Sequence, residues 1–324
     1  MKEKKIEFVQ IFKNIISLFY VKNKNNNKKL RREIEISEIT NSGFKVYINF
    51  SAPELDAYDL KILLTLVAII NMDRENLEIL ETLEKKNIIF INKLNFKLEP
   101  DLESDLSKIV KYETSWSKLL SRFKLSYQTN NIKILKTALE LLQSSIVHLI
   151  IKDKETDKNL LDLTSRLLAF EVDTLPEDRK NRIILTFNPL FYLVAFGKTV
   201  LKTTINMEVF QKLFEINANM SVVYCILCDK VNFGKEKKFT IEELELTCYG
   251  NITKDKRTKS KRKKFLLKTL EEIEKLSERS FIIKIDEKKE KVKVKRTPDR
   301  KQVKKSSKPK ETKEIAKDIQ TANS

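Results

Sequence analysis

The chain is 324 residues long and carries 64 Lys and Arg against 46 Asp and Glu, a formal net charge of +18 with 34% of its residues charged. That density argues against an integral membrane protein, whereas 41% hydrophobic residues suffice for buried cores and the length suits two domains with an extension. Four Gly and six Pro fit short loops and exclude collagen-like or Gly-rich architecture.

Scarcity narrows the chemistry further. The only histidine, His148, disfavours metal sites with several His ligands and nickases that need a His pair. Cys225, Cys228 and Cys248 are an odd count in a long chain, which points to a reducing, cytoplasmic compartment without a disulfide framework. No metal, cofactor or catalytic residue is expected.

The start of the chain, Met1 to Tyr20, is basic and then apolar, but Gln10, Lys13 and Asn14 interrupt the apolar stretch and no small-residue cleavage site follows. Phe8, Phe12, Ile15 and Phe19 fall at helical spacing, which predicts an amphipathic helix, and the basic, Asn-rich run Lys22 to Arg32 reads as a linker. Residues 1–32 are therefore set apart from the first domain, 33–181. There, Glu33 to Ile36 and Phe44 to Phe50 alternate like strands around Asn41-Ser42-Gly43, a hairpin. Ala57 to Asn71 is a helix capped by Asp56, and its apolar run Ile62 to Ile70 is too short to span a bilayer. Further helix or strand candidates lie between Glu75 and Phe96.

Ser115 to Phe123 is a short helix, Gln128 to Asn131 a turn, and about Asn131 to Ser145 a second helix with Ile132, Leu135, Leu139 and Leu142 inward. Ile146 to Lys152 and Leu160 to Phe170, joined by the charged turn Asp153 to Lys158, complete a helix-turn-helix with a β-wing. Sliding the chain by 132 residues aligns this helix and strand with a later pair, matching Leu135-Lys136-Thr137 to Leu267-Lys268-Thr269 and Ile150-Ile151-Lys152 to Ile282-Ile283-Lys284. A second domain, 182–295, follows the same order. It has a strand at Arg182 to Phe187, helices at Pro189 to Ala195, Met207 to Glu215 and Met220 to Val231, and a short helix at Thr240 to Leu246 with Thr240 and Glu243 as a capping box. Ser260 to Leu276 is its recognition helix, and Phe281 to Asp286 with Lys291 to Lys295 form its wing. The fold class is thus α+β, mainly helical, with two tandem winged-helix domains and a disordered basic tail over 296–324.

Charge is concentrated late. From Asn251 onward there are 26 basic and 12 acidic residues, a net of +14, which leaves +4 for the preceding 250. Such a patch suits a polyanion through counterion release. The candidate DNA-binding residues of the first domain are Thr129, Asn130, Asn131, Lys133 and Lys136 on the helix, suited to base readout, with Lys154 and Lys158 in the wing turn. Those of the second are Lys256, Arg257, Lys259, Lys261, Arg262, Lys263, Lys264 and Lys268, suited to phosphate contact, with Lys289 and Lys291 in the wing. Cys225-x-x-Cys228 reads as a buried helix face, Gly197-Lys198-Thr199 lacks the glycine a phosphate loop needs at position 192, and Glu242, Glu243, Glu245, Glu271, Glu272 and Glu274 read as solvated helix faces.

Phe50-Ser51-Ala52-Pro53, Asp59-Leu60-Lys61-Ile62-Leu63, Leu66-Val67-Ala68, Ser115-Trp116 with Leu119, Asn188-Pro189-Leu190 and the basic run Lys261 to Lys264 with Leu270 together resemble plasmid replication initiators, in particular the RepC type of IncQ-like plasmids. The resemblance spans about Val9 to Ile285. It implies two winged-helix domains that bind directly repeated double-stranded origin sequences (iterons), help open an AT-rich segment and bring in the replicative helicase; some such initiators form homodimers. Ala52 replaces a glycine of the family pattern, Ser280-Phe281 replaces Gly-Trp, and the tail from Arg296 is additional. The rival reading is a winged-helix transcription regulator.

Overall fold

A computed structural model of the chain describes residues 8–12, 15–21, 32–39, 44–72, 77–81, 108–153, 155–173, 182–187, 202–286, 288 and 290–297. Among these the fold is α+β, with every strand pair antiparallel.

The described residues begin with a strand, β1 (Phe8–Phe12), followed by one 3-10 turn at Ile15–Leu18, where the spacing predicts an amphipathic helix. Phe8 and Phe12 are four residues apart, a separation compatible with both helical and strand periods, and pairing decides between them. β1 pairs with β10 (Lys202–Asn206), setting buried Val9 opposite buried Ile205. Residues 8–12 are thereby built into the second half of the chain.

β2 (Arg32–Ile39) and β3 (Phe44–Ala52) form the expected hairpin. Helix α1 (Ala57–Met72) starts on a reciprocal cap: Asp56 Oδ1 accepts from Tyr58 N at 2.8 Å and Asp59 Oδ2 accepts from Asp56 N at 2.9 Å. Leu60, Leu63, Leu64, Val67 and Ile70 are buried, because α1 packs on β1 and on helices from both halves of the chain. No helix among the described residues is long and apolar enough to cross a membrane.

β4 (Leu77–Glu81) and β5 (Lys108–Ser115) lead into α2 (Trp116–Arg122), capped by Ser115, and α3 (Thr129–Ser144). β6 (Ile146–Asp153) and β7 (Asn159–Arg166) follow as a hairpin that extends the first one into a sheet of order β2-β3-β6-β7. The single strand expected over Leu160 to Phe170 breaks at Leu167, whose N–H donates to Ser145 O at 2.8 Å; β8 (Leu168–Asp173) then enters another sheet, β4-β5-β9-β8. β9 (Arg182–Phe187) lies between β5 and β8, so that sheet runs across residue 182, where the second domain was expected to begin.

The remainder comprises α4 (Met207–Ile216), α5 (Ala218–Lys230), β11 (Glu236–Thr240), α6 (Ile241–Tyr249), α7 (Lys256–Leu276), β12 (Phe281–Asp286) and β13 (Lys291–Arg296). β13 sits between β11 and β12. The helix expected over Pro189 to Ala195 and the triplet Gly197 to Thr199 lie outside the described residues; of the tail expected from 296, Arg296 instead closes β13 and is buried, and residues from 298 lie outside the described ones.

The internal repeat survives as element order but not in register. Ser145 and Ser277 are the C-caps of α3 and α7, in line with the 132-residue shift. Apart from Arg262, the buried positions, however, are Leu135, Ala138, Leu139 and Leu142 in α3 and Leu266, Thr269, Leu270 and Ile273 in α7, a separation of 131. The identical residues Thr137 and Thr269 consequently face opposite ways, the first exposed and the second buried.

Candidate nucleic-acid interface

α7 begins four residues before the basic run was expected to turn helical, because Asp255 caps it: Thr258 N donates to Asp255 Oδ1 at 2.7 Å. The Thr258 side chain and then its backbone N–H hold the Asp255 carboxyl below its ordinary value. The carboxylate also lies where the helix macrodipole favours negative charge. α6, the preceding helix, starts on the expected capping box, with Glu243 N donating to Thr240 Oγ1 at 3.0 Å and Thr240 N to Glu243 Oε2 at 2.6 Å. It ends at Gly250 in the left-handed region, φ 72°, where a Cβ would also collide with the Tyr20 ring.

The cations of α7 up to Lys268 divide into three groups by helical phase. Arg262 lies on the buried stripe, one turn before Leu266, and is 5% exposed. Its Nη1 donates to Glu245 Oε1 at 2.8 Å and to Asn251 O and Oδ1 at 3.1 and 3.0 Å, and its guanidinium lies 4.3 Å from the Tyr249 ring centroid. Arg262 is therefore not the phosphate contact expected of it; it fixes α7 against α6 and the loop between them. Glu245, expected on a solvated face, is buried for the same reason, whereas Glu242 and Glu243 are exposed.

Lys259 and Lys263 form the second group. Lys259 Nζ is 2.7 Å from Glu242 Oε1, which raises its pKa, and Lys263 Nζ is 2.5 Å from Glu290 Oε1, which lowers the glutamate's. These pairs brace α7 against α6 and against the turn before β13. Surface pairs of this kind contribute little stability and can exchange a carboxylate for a phosphate.

The third group is open. Arg257, Lys261, Lys264 and Lys268 recur at four- and three-residue intervals along one face, are exposed, and make no salt bridge to any described residue; Lys256 is exposed at its edge. At about 1.5 Å per residue the stripe is about 17 Å long. It lies opposite Leu266, Leu270 and Ile273, so core packing aims it outward.

The face of α3 is different in kind. Thr129, Asn130, Lys133 and Lys136 are exposed, and Lys136 is 3.9 Å from Glu140. Thr129 to Asn131, expected in the turn, form the first turn of the helix. Asn131 is half-buried, and its Nδ2 donates to Ser126 O and Oγ at 2.9 and 3.1 Å, which ties the α2–α3 turn to the helix. Lys158 is exposed beside the β6–β7 turn, where Asp153 Oδ1 accepts from Thr156 N at 2.8 Å. Lys291 is exposed at the start of β13; Lys154 and Lys289 lie outside the described residues.

Cys225, Cys228 and Cys248 are buried free thiols, in keeping with a core helix face, and no cluster of metal-binding side chains occurs among the described residues. The residues that sequence reasoning missed are the anchors Glu245, Tyr249 and Asn251. Glu245 is detectable from phase, since it lies beside Leu244 and one turn after Ile241, both buried.

No family model and no curated protein matches the sequence. Among solved structures, a selenomethionine derivative of domains 2 and 3 of RctB is similar at TM-score 0.45 and 12% identity, over 88% of this chain and 97% of that one. A second structure of RctB domains 2-3 is similar at TM-score 0.46 and 12% identity, over 86% and 95%. These are distant likenesses and carry no residue roles across.

Proposed function

We propose that the chain is a sequence-specific double-stranded DNA-binding protein that initiates plasmid replication, with two winged-helix units engaging iterons. The observation that carries this reading is the open cationic stripe of α7, which a protein core holds outward on a helix narrow enough for a major groove. The order α5, β11, α6, α7, β12, β13, with β13 central in the sheet, supports a winged helix in the second unit. The order α2, α3, β6, β7 supports a variant of it in the first, its hairpin merged into a larger sheet. The family motifs in the sequence favour initiation over other uses of DNA binding.

In this reading the protein acts by binding alone. Opening of an AT-rich segment, helicase recruitment, dimerisation and a cytoplasmic, plasmid-associated location belong to the same proposal. Footprinting the purified protein on the DNA flanking its gene tests it. Several evenly spaced protected repeats beside an AT-rich tract are expected. One palindrome over a promoter would instead mark a transcription regulator, and magnesium-dependent strand cleavage or primer synthesis would mark an enzyme.

A further inference from the structure

The sheet β11-β13-β12 has a second cationic surface, of which the expected DNA contacts included only Lys291. Its inner face is apolar, with Phe239, Val292, Val294, Phe281 and Ile283 buried. Its outer face is set by register: Lys238, Lys293 and Lys284 lie directly opposite one another across all three strands, and Lys291 and Lys295 flank Lys293 on the central strand. Given strands about 4.8 Å apart and same-face residues about 6.7 Å apart, the five lysines cover about 10 by 13 Å.

Like charges placed opposite one another in a sheet are destabilising. The face holds two carboxylates, Glu236 and Asp286. Glu236 lies 2.8 Å from Lys293, which lowers its pKa. Lys238, Lys284, Lys291 and Lys295 are exposed and make no salt bridge to any described residue. Edge strands often carry lysine to discourage pairing with other chains, which would account for Lys238 and Lys284. It does not account for β13, a central strand with lysine at each of its three outward positions.

We infer that the outer face of the β11-β13-β12 sheet is a second, sequence-independent binding surface for the phosphate backbone of double-stranded DNA, built by Lys238, Lys284, Lys291, Lys293 and Lys295. This rests on the DNA-binding reading above. Lysine ammonium groups are point charges suited to phosphate, and the described outward residues of this face include no aromatic ring on which an unpaired base could stack. One apolar residue, Ile282, is exposed there, too little for a packed protein interface.

The test measures affinity of the full chain for a random-sequence duplex against salt, comparing wild type with Lys238→Gln/Lys284→Gln/Lys295→Gln. The slope of log K against log salt is expected to become shallower by about 0.9 for each phosphate that is no longer neutralised, or roughly 2 to 3 in all. Lysine acetylation of the wild-type protein provides a readout independent of folding of the variant: the duplex should protect these three residues. Unchanged slope with unprotected lysines overturns the inference. So does equal protection by poly-glutamate, which would assign the face to an acidic protein. Wild-type protein that shows no salt-dependent duplex binding would defeat the underlying DNA-binding reading itself.

Discussion

Arg262 and Glu245 form an ion pair buried between α7 and α6, Nη1 to Oε1 2.8 Å, with side chains 5% and 2% exposed. The remaining donor capacity of Nη1 is used by Asn251, and Glu245 Oε1 also accepts from Thr253 N at 3.3 Å. One charged node thus sets the turn that aims α7. Removing one member leaves the other charge buried and unpaired, which costs about 3–5 kcal/mol. Arg262→Ala is expected to lower stability by that amount in denaturant unfolding, whereas the double replacement Arg262→Met/Glu245→Leu should be far milder. Equal losses would show that reduced packing, rather than a stranded charge, is responsible.

At the start of α3, Asn131 and Lys133 are expected to separate. Asn131→Ala removes the bonds to Ser126 and should reduce stability by about 1 kcal/mol. Lys133 is exposed, so Lys133→Ala should leave stability within about 0.5 kcal/mol while relaxing preference among DNA sites. Thermal unfolding and competition with altered sites measure the two effects.

Asp255 contributes a pH dependence of defined sign. Its carboxyl pKa is lowered in the fold by the Thr258 bonds, so its stabilisation is present above the unfolded value of about 3.9 and is lost as pH falls through the lowered folded value. Asp255→Asn keeps a capping side chain without the charge. The stability difference between wild type and this variant should be present at neutral pH and vanish in acid. A difference independent of pH would contradict the charge–cap account.

Burial pushes the Cys225 thiol well up and the Cys228 thiol up, and both are almost fully shielded from solvent. Near neutral pH they are protonated and inert. A thiol reagent should modify neither in the native protein and both in denaturant; rapid native modification would place that helix elsewhere.

Much of this architecture is legible in local sequence, and the misses share a cause. α1, α2 and α6 are readable from caps and apolar spacing, because Asp56, Ser115 and Thr240 act within their own first turns, whereas α7 is readable from its apolar spacing alone and its Asp255 cap starts it four residues earlier. β1 depends on a partner far along the chain, Ile205 for Val9, and β8 on the chain leaving one sheet for another at Leu167, and no local pattern carries either. β11 was hidden by Lys237 and Lys238, whose charge reads as loop. At the site, the excess of basic residues beyond Asn251 carries no helical phase by itself. The phase that turns Leu266, Leu270 and Ile273 inward also turns Arg262 inward, and Lys261 and Lys264 out.

The most direct test of the account is the salt dependence of affinity for duplex DNA, measured for wild type and for the variant Arg257→Gln/Lys261→Gln/Lys264→Gln/Lys268→Gln. If the open stripe of α7 grips phosphates, the slope becomes shallower by about 0.9 for each residue that binds one, with folding unchanged. Parallel slopes for the two proteins would contradict it.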